Sequence, residues 1–285
     1  MVIRVGMAVA AAGALVACSS GDAESLGDDS RQTTTAAEDS EAGTSSPGAA
    51  ASLDIVATID REPTFTQGLE LLDDGRMVHS RGQYGESGID ILSPAGEVVR
   101  SRDLPEEQFG EGVTVVPGDQ GEPATAYQLT WMSGTVHTWS VPALEPGPTY
   151  DIDGEGWGLC HDETRDVLWQ SDGSARLRAL ELPDLAPAGE VVVTQDGQPV
   201  TQLNELECVD GMVWANVWQR SDILLVDPED GAVEQRVSLR EVVDEEDPSE
   251  AADVLNGIAR TKNGELLVTG KNWRHLYRLD VPSTG

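Results

Sequence analysis

The chain has 285 residues, with 51 acidic and 18 basic side chains, a formal net charge of -33 and a hydrophobic fraction of 39%. Charge of this sign repels phosphate backbones and anionic lipids, which argues against nucleic-acid binding and against peripheral docking on a membrane surface. The 30 glycines and 15 prolines, many of them in turn pairs, disfavour a helical bundle. The composition is therefore that of an acidic, turn-rich protein.

The first 18 residues have the features of a signal peptide. A short basic start is followed by an apolar run, residues 5–17, that is too short to span a bilayer. The run ends in Leu15-Val16-Ala17-Cys18, which resembles the lipobox of bacterial lipoproteins and implies cleavage before Cys18 and attachment of lipid there. A plain secretory signal is the alternative. On either interpretation we expect export, with the protein lipid-anchored to the outer face of the cell membrane or secreted.

A predicted tether separates this signal from a folded domain. Residues 19–52 consist mainly of Ser, Thr, Ala, Gly, Asp and Glu and contain no aromatic residue. Such a segment cannot bury enough apolar surface to offset its chain entropy, so we expect it to be disordered. Residues 53–285 hold 44 acidic and 16 basic side chains, a net charge of -28, and the acidity therefore belongs to the predicted domain.

Five short segments recur along this domain, with 44, 46, 48 and 51 residues between their central positions. A repeat of this length that carries several short strands is typical of a propeller blade, so we predict an all-β, five-bladed β-propeller. Each segment is expected to begin the innermost strand of a blade. The alternating stretch 53–59 is expected to supply the strand that the last blade lacks, which removes an open sheet edge. The segments are centred on Gln67, Glu111, Trp157, Glu205 and Asn256.

Two cysteines occupy the same position in neighbouring repeats. Cys160 lies three residues after Trp157, and Cys208 lies three residues after Glu205. Because disulfides persist in exported proteins, a Cys160–Cys208 disulfide between blades 3 and 4 is one hypothesis. Two buried free thiols are the other.

The repeat brings polar and aromatic side chains together at the predicted axis, an arrangement typical of a small-ligand site. Glu111, which lies between two glycines, is the most suggestive of them, because a carboxylate at a crowded axis is costly to bury without a function. The alternative is that these side chains only fill the channel and cap its loops. The set comprises Phe65, Gln67, Phe109, Glu111, Trp131, Trp157, Asn204, Glu205, Trp218, Asn256 and Lys271.

Nine short blocks follow one another in order: Phe65-Thr66-Gln67-Gly68-Leu69, Glu111-Gly112, Leu129-Thr130-Trp131, Gly156-Trp157-Gly158-Leu159, Ser171-Asp172-Gly173-Ser174, Leu203-Asn204-Glu205-Leu206-Glu207, Ala215-Asn216-Val217-Trp218, Leu255-Asn256-Gly257-Ile258-Ala259 and Val268-Thr269-Gly270-Lys271. From about Arg61 to Asp280 this series resembles the plant and bacterial glutaminyl-peptide cyclotransferases. The resemblance implies a five-bladed propeller and an aminoacyl-type acyltransferase. Its reaction converts the N-terminal glutamine of a peptide or protein to pyroglutamate and releases ammonia.

The chain departs from the family pattern at a few positions. Arg61-Glu62 replaces a His-Asp pair that is usual before the proline of the first block, which puts substrate contacts at the rim in question. Gly110 stands where Ala is frequent, and Cys160 and Cys208 stand where Thr and Tyr are common. None of these departures removes a residue to which we assign catalysis.

The resemblance carries the site over residue by residue, and the division of roles is our own inference. Glu111 is expected to move the proton, and Lys271, Gln67 and Asn204 to stabilise the amide oxygen. The walls that hold the glutamine are expected to be Phe65, Phe109, Trp131, Trp157 and Trp218.

We expect a reaction without metal or other cofactor. The four histidines lack metal-ligand spacing and are expected at the surface or in loops. Peptides or proteins with N-terminal glutamine are the expected partners, nucleic acid is not, the membrane is reached only through the lipid at Cys18, and we expect a monomer. The histidines are His79, His137, His161 and His275.

Two other functions fit parts of the sequence. A non-catalytic propeller lipoprotein could bind a peptide or sugar through the same aromatic mouth. A metal-dependent hydrolase of the lactonase type could use Glu111, Asn204 and Asn256 around a calcium ion, although Trp157 at the equivalent position of blade 3 fits such a ring badly.

Overall fold

The computed structural model describes residues 54–119, 121–246, 252–261 and 263–280. The expected signal peptide, with Cys18, and the expected tether lie outside these residues. No helix within the described ranges combines the length and the apolar character needed to cross a bilayer.

The described chain forms five sheets of four antiparallel strands, and the prediction of a five-bladed β-propeller is confirmed. The first strand in the chain is β1 (Asp54–Asp60). Blade 1 contains β2 (Thr66–Leu71), β3 (Met77–Arg81), β4 (Gly88–Leu92) and β5 (Val98–Asp103). Blade 2 contains β6 (Gly110–Val116), β7 (Ala124–Thr130), β8 (Thr135–Val141) and β9 (Pro146–Asp151).

The remaining blades follow the same order from the inner strand outward. Blade 3 contains β10 (Leu159–Asp162), β11 (Val167–Ser171), β12 (Arg176–Glu181) and β13 (Pro187–Val192), and a hairpin of β14 (Thr194–Gln195) and β15 (Gln198–Pro199) follows it. Blade 4 contains β16 (Leu203–Val209), β17 (Met212–Val217), β18 (Asp222–Val226) and β19 (Val233–Ser238), followed by the helix α1 (Arg240–Glu245). Blade 5 contains β20 (Leu255–Arg260), β21 (Leu266–Gly270) and β22 (His275–Asp280).

The fourth strand of blade 5 comes from the other end of the described chain. Strand β1 pairs antiparallel with β22, from Asp54 opposite Asp280 to Asp60 opposite His275. Residues of β1 alternate between exposed and half-buried, as suits an outermost strand with one face on the sheet beneath it. The pairing leaves no unpaired edge on β22, which is the closure that the sequence predicts.

The five inner strands contact one another in a ring, β2 with β6, β6 with β10, β10 with β16, β16 with β20 and β20 with β2. Glycines permit this close approach. A Cβ atom on Gly112 would lie 2.7 Å from the carbonyl oxygen of Trp157, and the Gly112 N–H donates a hydrogen bond to that same oxygen at 2.7 Å. Any larger residue at position 112 would therefore push blades 2 and 3 apart.

Apolar clusters between adjacent blades form the core, and tryptophans are prominent in them. Trp139, Trp169, Trp214 and Trp273 are buried in these clusters. Of the seven tryptophans in the chain, these four belong to the packing between blades. The three others lie elsewhere, at one end of the channel.

Cys160 on β10 and Cys208 on β16 form a disulfide, with 5.3 Å between their Cα atoms. The bond joins the inner strand of blade 3 to the inner strand of blade 4, as the disulfide hypothesis predicts. It closes a long loop of the chain, since the two cysteines are 48 residues apart.

Candidate active site

A cavity of about 380 Å³ opens at the end of the channel where the inner strands begin. All nine residues that the sequence assigned to catalysis or substrate binding line it. They are Phe65, Gln67, Phe109, Glu111, Trp131, Trp157, Asn204, Trp218 and Lys271. Gln219, Asp253 and Val254, which the sequence analysis did not select, line it as well.

β-Bulges at the start of the inner strands place several of these side chains. The pairing register shifts between Thr66 and Gly68 in β2, between Gly110 and Val113 in β6 and between Leu203 and Leu206 in β16. A bulge interrupts the regular alternation of side chains and redirects one of them. Gln67, Glu111 and Asn204 lie within these bulges, which accounts for side chains that face the cavity at the head of a buried strand.

Glu111 is the buried carboxylate of the cavity, with 6% of the residue exposed. Burial raises the pKa of Glu111 well above its ordinary value, the positive charge of Lys271 opposes this rise, and the negative charge of Glu155 adds to it. The Ser80 hydroxyl donates a hydrogen bond to the Glu111 backbone carbonyl and so fixes the backbone there. Among the residues that the structure describes, none donates a hydrogen bond to the Glu111 carboxylate, which is thus available to a ligand.

Lys271 supplies a positive charge to the same cavity. It directly follows β21, and its Nζ lies 5.0 Å from the centre of the Phe65 ring, within the range of a cation–π interaction. Burial lowers the pKa of Lys271, while the charges of Glu111 and Asp253 oppose that decrease. The backbone of Lys271 is anchored on both sides, because its N–H donates to Val254 and its carbonyl accepts from Asp253, each at 2.9 Å.

Two amides flank these charges. The Gln67 Oε1 accepts a hydrogen bond from Asn256 Nδ2 at 3.3 Å, which orients the Gln67 side chain. The Asn204 backbone carbonyl accepts a hydrogen bond from the Ser171 hydroxyl at 2.7 Å, and the Asn204 Oδ1 is buried without a hydrogen-bond partner in the described chain. Asn204 therefore has a fixed backbone and an amide whose hydrogen-bonding capacity is not fully used.

Aromatic rings form the walls of the cavity in two groups. Phe109 makes edge-to-face contacts with Phe65, at 6.0 Å between centroids, and with Trp131, at 5.8 Å. On the other side, Trp157 and Trp218 meet edge to face at 5.9 Å. Such pairs hold one another's orientation, so the cavity has rigid apolar walls around a small polar centre.

Glu205 and Asn256 are not among the residues that line the cavity, although the sequence analysis placed them with the others at the axis. Glu205 is fully buried, and its carboxylate accepts hydrogen bonds from the backbone N–H groups of Leu69, at 3.2 Å, and Ile258, at 2.7 Å. Its donors belong to blades 1 and 5. Glu205 thus fastens three blades together instead of facing a ligand.

Glu155 is a polar residue that the sequence analysis missed. Its Oε2 accepts hydrogen bonds from the indole N–H groups of both Trp131, at 2.8 Å, and Trp157, at 2.9 Å. The one available signal was its position two residues before Trp157, in a segment already identified as a repeat. Asp253 lacked even that signal, because it precedes β20 in an acidic stretch without periodicity.

The structure answers the question raised by Arg61-Glu62 and corrects the expectation that the histidines lie in loops. Arg61 and Glu62 do not line the active-site cavity but a separate one, and Arg61 Nη2 lies 3.2 Å from His79 Nε2. All four histidines lie on strands and not in loops, His79 being buried and the other three half-buried. His79 is buried on β3 beside Asp90, and burial lowers the pKa of His79 to about 4.

Within the described ranges, no group of three or more His, Cys, Asp or Glu side chains is arranged to hold a metal ion. The cavity instead brings the carboxyl groups of Glu111 and Asp253 together with the ammonium group of Lys271.

The chain is similar to known proteins over most of its length. A family model described as glutamine cyclotransferase matches residues 30–281. Glutaminyl-peptide cyclotransferase of Arabidopsis thaliana is 32% identical over 237 residues, which is 80% of this chain and 71% of that protein. The crystal structure of Myxococcus xanthus glutaminyl cyclase matches 80% of this chain and 95% of that chain, with 34% identity and a TM-score of 0.70.

Proposed function

The chain belongs to the glutamine cyclotransferase family, and we propose that it is a glutaminyl-peptide cyclotransferase that converts N-terminal glutamine of peptides or proteins to pyroglutamate. One observation carries the proposal to particular residues. The buried Glu111 carboxylate accepts no hydrogen bond from the described chain and faces a cavity that also holds Lys271 and aromatic walls. A site of this kind suits an N-terminal glutamine, which has a small polar side chain close to its α-amine.

Glu111 serves as the proton shuttle in this proposal. The unprotonated α-amine of the substrate attacks its own side-chain amide carbon, and a new C–N bond closes the lactam ring. The attacking nitrogen gives one proton to the Glu111 carboxylate, and the resulting acid gives it to the amide nitrogen. The old C–N bond then breaks and ammonia leaves, so that no other reactant is consumed. A carboxyl group with a raised pKa is well matched to both steps, and such a group contributes about 10²–10⁴-fold to the rate.

Lys271, Gln67 and Asn204 are proposed to stabilise the amide oxygen as it gains negative charge. Lys271 is a buried cation in the same cavity, and Gln67 and Asn204 offer amide groups from blades 1 and 4. Fixed donors aimed at a developing oxyanion contribute about 3–4 kcal/mol each in a dry site.

The aromatic residues are proposed to hold the glutamine side chain in a folded conformation. Phe65, Phe109 and Trp131 lie in one group of rings, and Trp157 and Trp218 lie in the other. Because the reaction is intramolecular, its rate depends on holding the amine within attack range of the amide carbon. Rigid apolar walls around the side chain favour that conformation.

We further propose that the reaction needs no metal ion and that the protein acts as a monomer outside the cell, through lipid attached at Cys18 or as a secreted protein. Lys271 beside Glu111 supports the first point, because an ammonium group occupies the surroundings that a calcium ion would require. The signal-like residues 1–18 support the location.

Incubation of the purified protein with a glutaminyl dipeptide, with and without a metal chelator, tests this function. We expect ammonia to be released at the same rate in both reactions. Loss of activity in chelator, restored by calcium or zinc, would favour a metal-dependent enzyme instead. Absence of ammonia in both, with peptide bound, would favour a binding protein.

A further inference from the structure

We propose that Glu155 is a positioning residue of this active site, which holds the indoles of Trp131 and Trp157 in place and adds its negative charge to the surroundings of Glu111. The inference rests on the proposed function and extends it to a residue outside the set that the family resemblance supplied.

Glu155 holds two tryptophans of the cavity wall through one atom. A single carboxylate oxygen, Glu155 Oε2, accepts two indole N–H groups, from Trp131 at 2.8 Å and from Trp157 at 2.9 Å. Trp131 follows strand β7 of blade 2, whereas Trp157 precedes strand β10 of blade 3. One side chain thereby connects the two blades at the wall of the cavity. Hydrogen bonds to an ionised acceptor are stronger than those between neutral groups.

The backbone around Glu155 is held as firmly as its side chain. Its carbonyl accepts a hydrogen bond from Gln170 Nε2 at 2.8 Å. The next residue, Gly156, donates its N–H to the Trp131 carbonyl at 3.0 Å, and Trp157 donates its N–H to Ser171 at 3.0 Å. The carboxylate is therefore presented from a fixed point, which is what a positioning residue requires.

Both groups of rings in the cavity depend on these two indoles. Trp131 contacts Phe109 on one side, with centroids 5.8 Å apart, and Trp157 contacts Trp218 on the other, with centroids 5.9 Å apart. Glu155 is the hydrogen-bond acceptor that the two groups share. Without it, two indole N–H groups lose their partner, and each ring can turn about its side-chain bonds.

The charge of Glu155 acts on the proton shuttle as well. The charged groups that face Glu111 are Lys271, from the end of β21, and Glu155, from the segment before β10, while Asp253 faces Lys271. Glu155 raises the pKa of Glu111 and Lys271 lowers it. Removal of the charge at position 155 should therefore lower the pKa of Glu111.

Two substitutions separate the two contributions. Glu155→Gln keeps an oxygen that can accept both indoles but removes the charge, and we expect the acid limb of kcat/KM to move to lower pH while KM rises less than in Glu155→Ala. Glu155→Ala removes the acceptor, and we expect KM for a glutaminyl peptide to rise about tenfold or more, with a fall in kcat, because the walls are no longer held. Glu145→Gln and Glu145→Ala, at an exposed turn of blade 2, are the matched controls.

Acrylamide quenching of tryptophan fluorescence adds a readout that does not depend on catalysis. We expect stronger quenching in Glu155→Ala than in Glu155→Gln or the controls. Unchanged KM and quenching in Glu155→Ala, or an unshifted acid limb in Glu155→Gln, would overturn the inference while the unaltered protein still releases ammonia. If the unaltered protein releases no ammonia, the proposed function fails, and the quenching comparison still decides whether Glu155 positions the indoles.

Discussion

Two groups of buried carboxylates lie along the propeller channel, and their surroundings differ. Where the inner strands begin, Glu111 faces the cavity and receives no hydrogen bond from the described residues. Away from the cavity, on other inner strands, Glu70, Glu205 and Glu207 each accept hydrogen bonds from a neighbouring blade. Burial raises the pKa of all four.

The carboxylates away from the cavity fasten the blades together. Glu70 of blade 1 accepts hydrogen bonds from the Thr114 hydroxyl, at 2.9 Å, and the Val115 N–H, at 3.4 Å, of blade 2. Glu207 of blade 4 accepts the Arg260 N–H of blade 5 at 2.8 Å. One oxygen of each carboxylate is engaged in holding the ring. The contrast teaches that a raised pKa alone does not identify the functional carboxylate, whereas unused hydrogen-bonding capacity beside a cation does.

The largest expected effect comes from substitution of Glu111, whose carboxylate faces the cavity. Glu111→Gln keeps the shape of the side chain but cannot carry a proton, and we expect kcat/KM to fall by about 10²–10⁴-fold with thermal unfolding unchanged. The measurement is the initial rate of ammonia release from a glutaminyl peptide. Activity equal to that of the unaltered protein would show that this carboxylate is no different from those that fasten the blades.

The second prediction concerns the positive charge that Lys271 brings to the cavity. Lys271→Met keeps much of the side-chain volume and removes the ammonium group, and we expect kcat to fall by roughly 10²-fold because the oxyanion loses its cation. Steady-state kinetics will check this. If only KM changed, Lys271 would bind the substrate without stabilising the transition state.

The disulfide tests what holds the inner strands together. Replacing Cys160 and Cys208 with serine should lower the free energy of unfolding by about 2–4 kcal/mol, because the unfolded chain regains the freedom of a long loop. Denaturant unfolding is the measurement, and kcat at a temperature well below unfolding should be preserved. A free-thiol count in the denatured protein that does not change on reduction would contradict the bond.

Glu205→Gln should have the opposite profile to Glu111→Gln. Because each Glu205 oxygen accepts one backbone N–H, an amide at this position would set its NH₂ group against one of them. We expect the free energy of unfolding to fall by about 1–3 kcal/mol, with kcat/KM close to that of the unaltered protein. A large loss of activity in a stable variant would remove the distinction between the carboxylate that faces the cavity and those that fasten the blades.

Substitution of Glu70 has the smallest expected effect, which is a change in how the free energy of unfolding depends on pH. Burial raises the pKa of Glu70 from 4.5 to about 7, so the folded protein binds this proton more tightly than the unfolded chain does. The stabilising contribution is complete below about pH 4.5 and is lost as the pH rises through 7. Glu70→Gln should therefore show a shallower decrease of unfolding free energy between pH 5 and 8 than the unaltered protein, as measured by denaturant unfolding. Parallel curves for the two proteins would exclude such a role.

Much of the fold and of the candidate site can be predicted from the sequence because both follow from the repeat. Segments such as the one centred on Gln67 recur at nearly constant spacing, and spacing determines both the number of blades and the residues that meet at the axis. The repeat placed Trp131, Trp157 and Trp218 at the axis, and the resemblance to a family then assigned them to the walls of the substrate site, a distinction that composition cannot make.

The direction in which each side chain points within the channel was harder to predict. Neighbouring residues at a bulge, such as Asn204 and Glu205, point to different places, and the sequence does not state which of them faces the cavity. Glu155 and Asp253 act through partners that are distant along the chain or come from another blade. His79 gave no sign of its buried contact with Asp90, because that contact depends on the register between β3 and β4.

The mass of a glutaminyl peptide after incubation with the purified protein tests the central claim most directly, with an N-acetylated copy of the same peptide as control. The account predicts that the free-amine peptide loses one ammonia and becomes the pyroglutamyl peptide, whereas the acetylated peptide, which has no free amine to attack, is unchanged. An unaltered free-amine peptide, or conversion of either peptide to its glutamyl form by water, would contradict it.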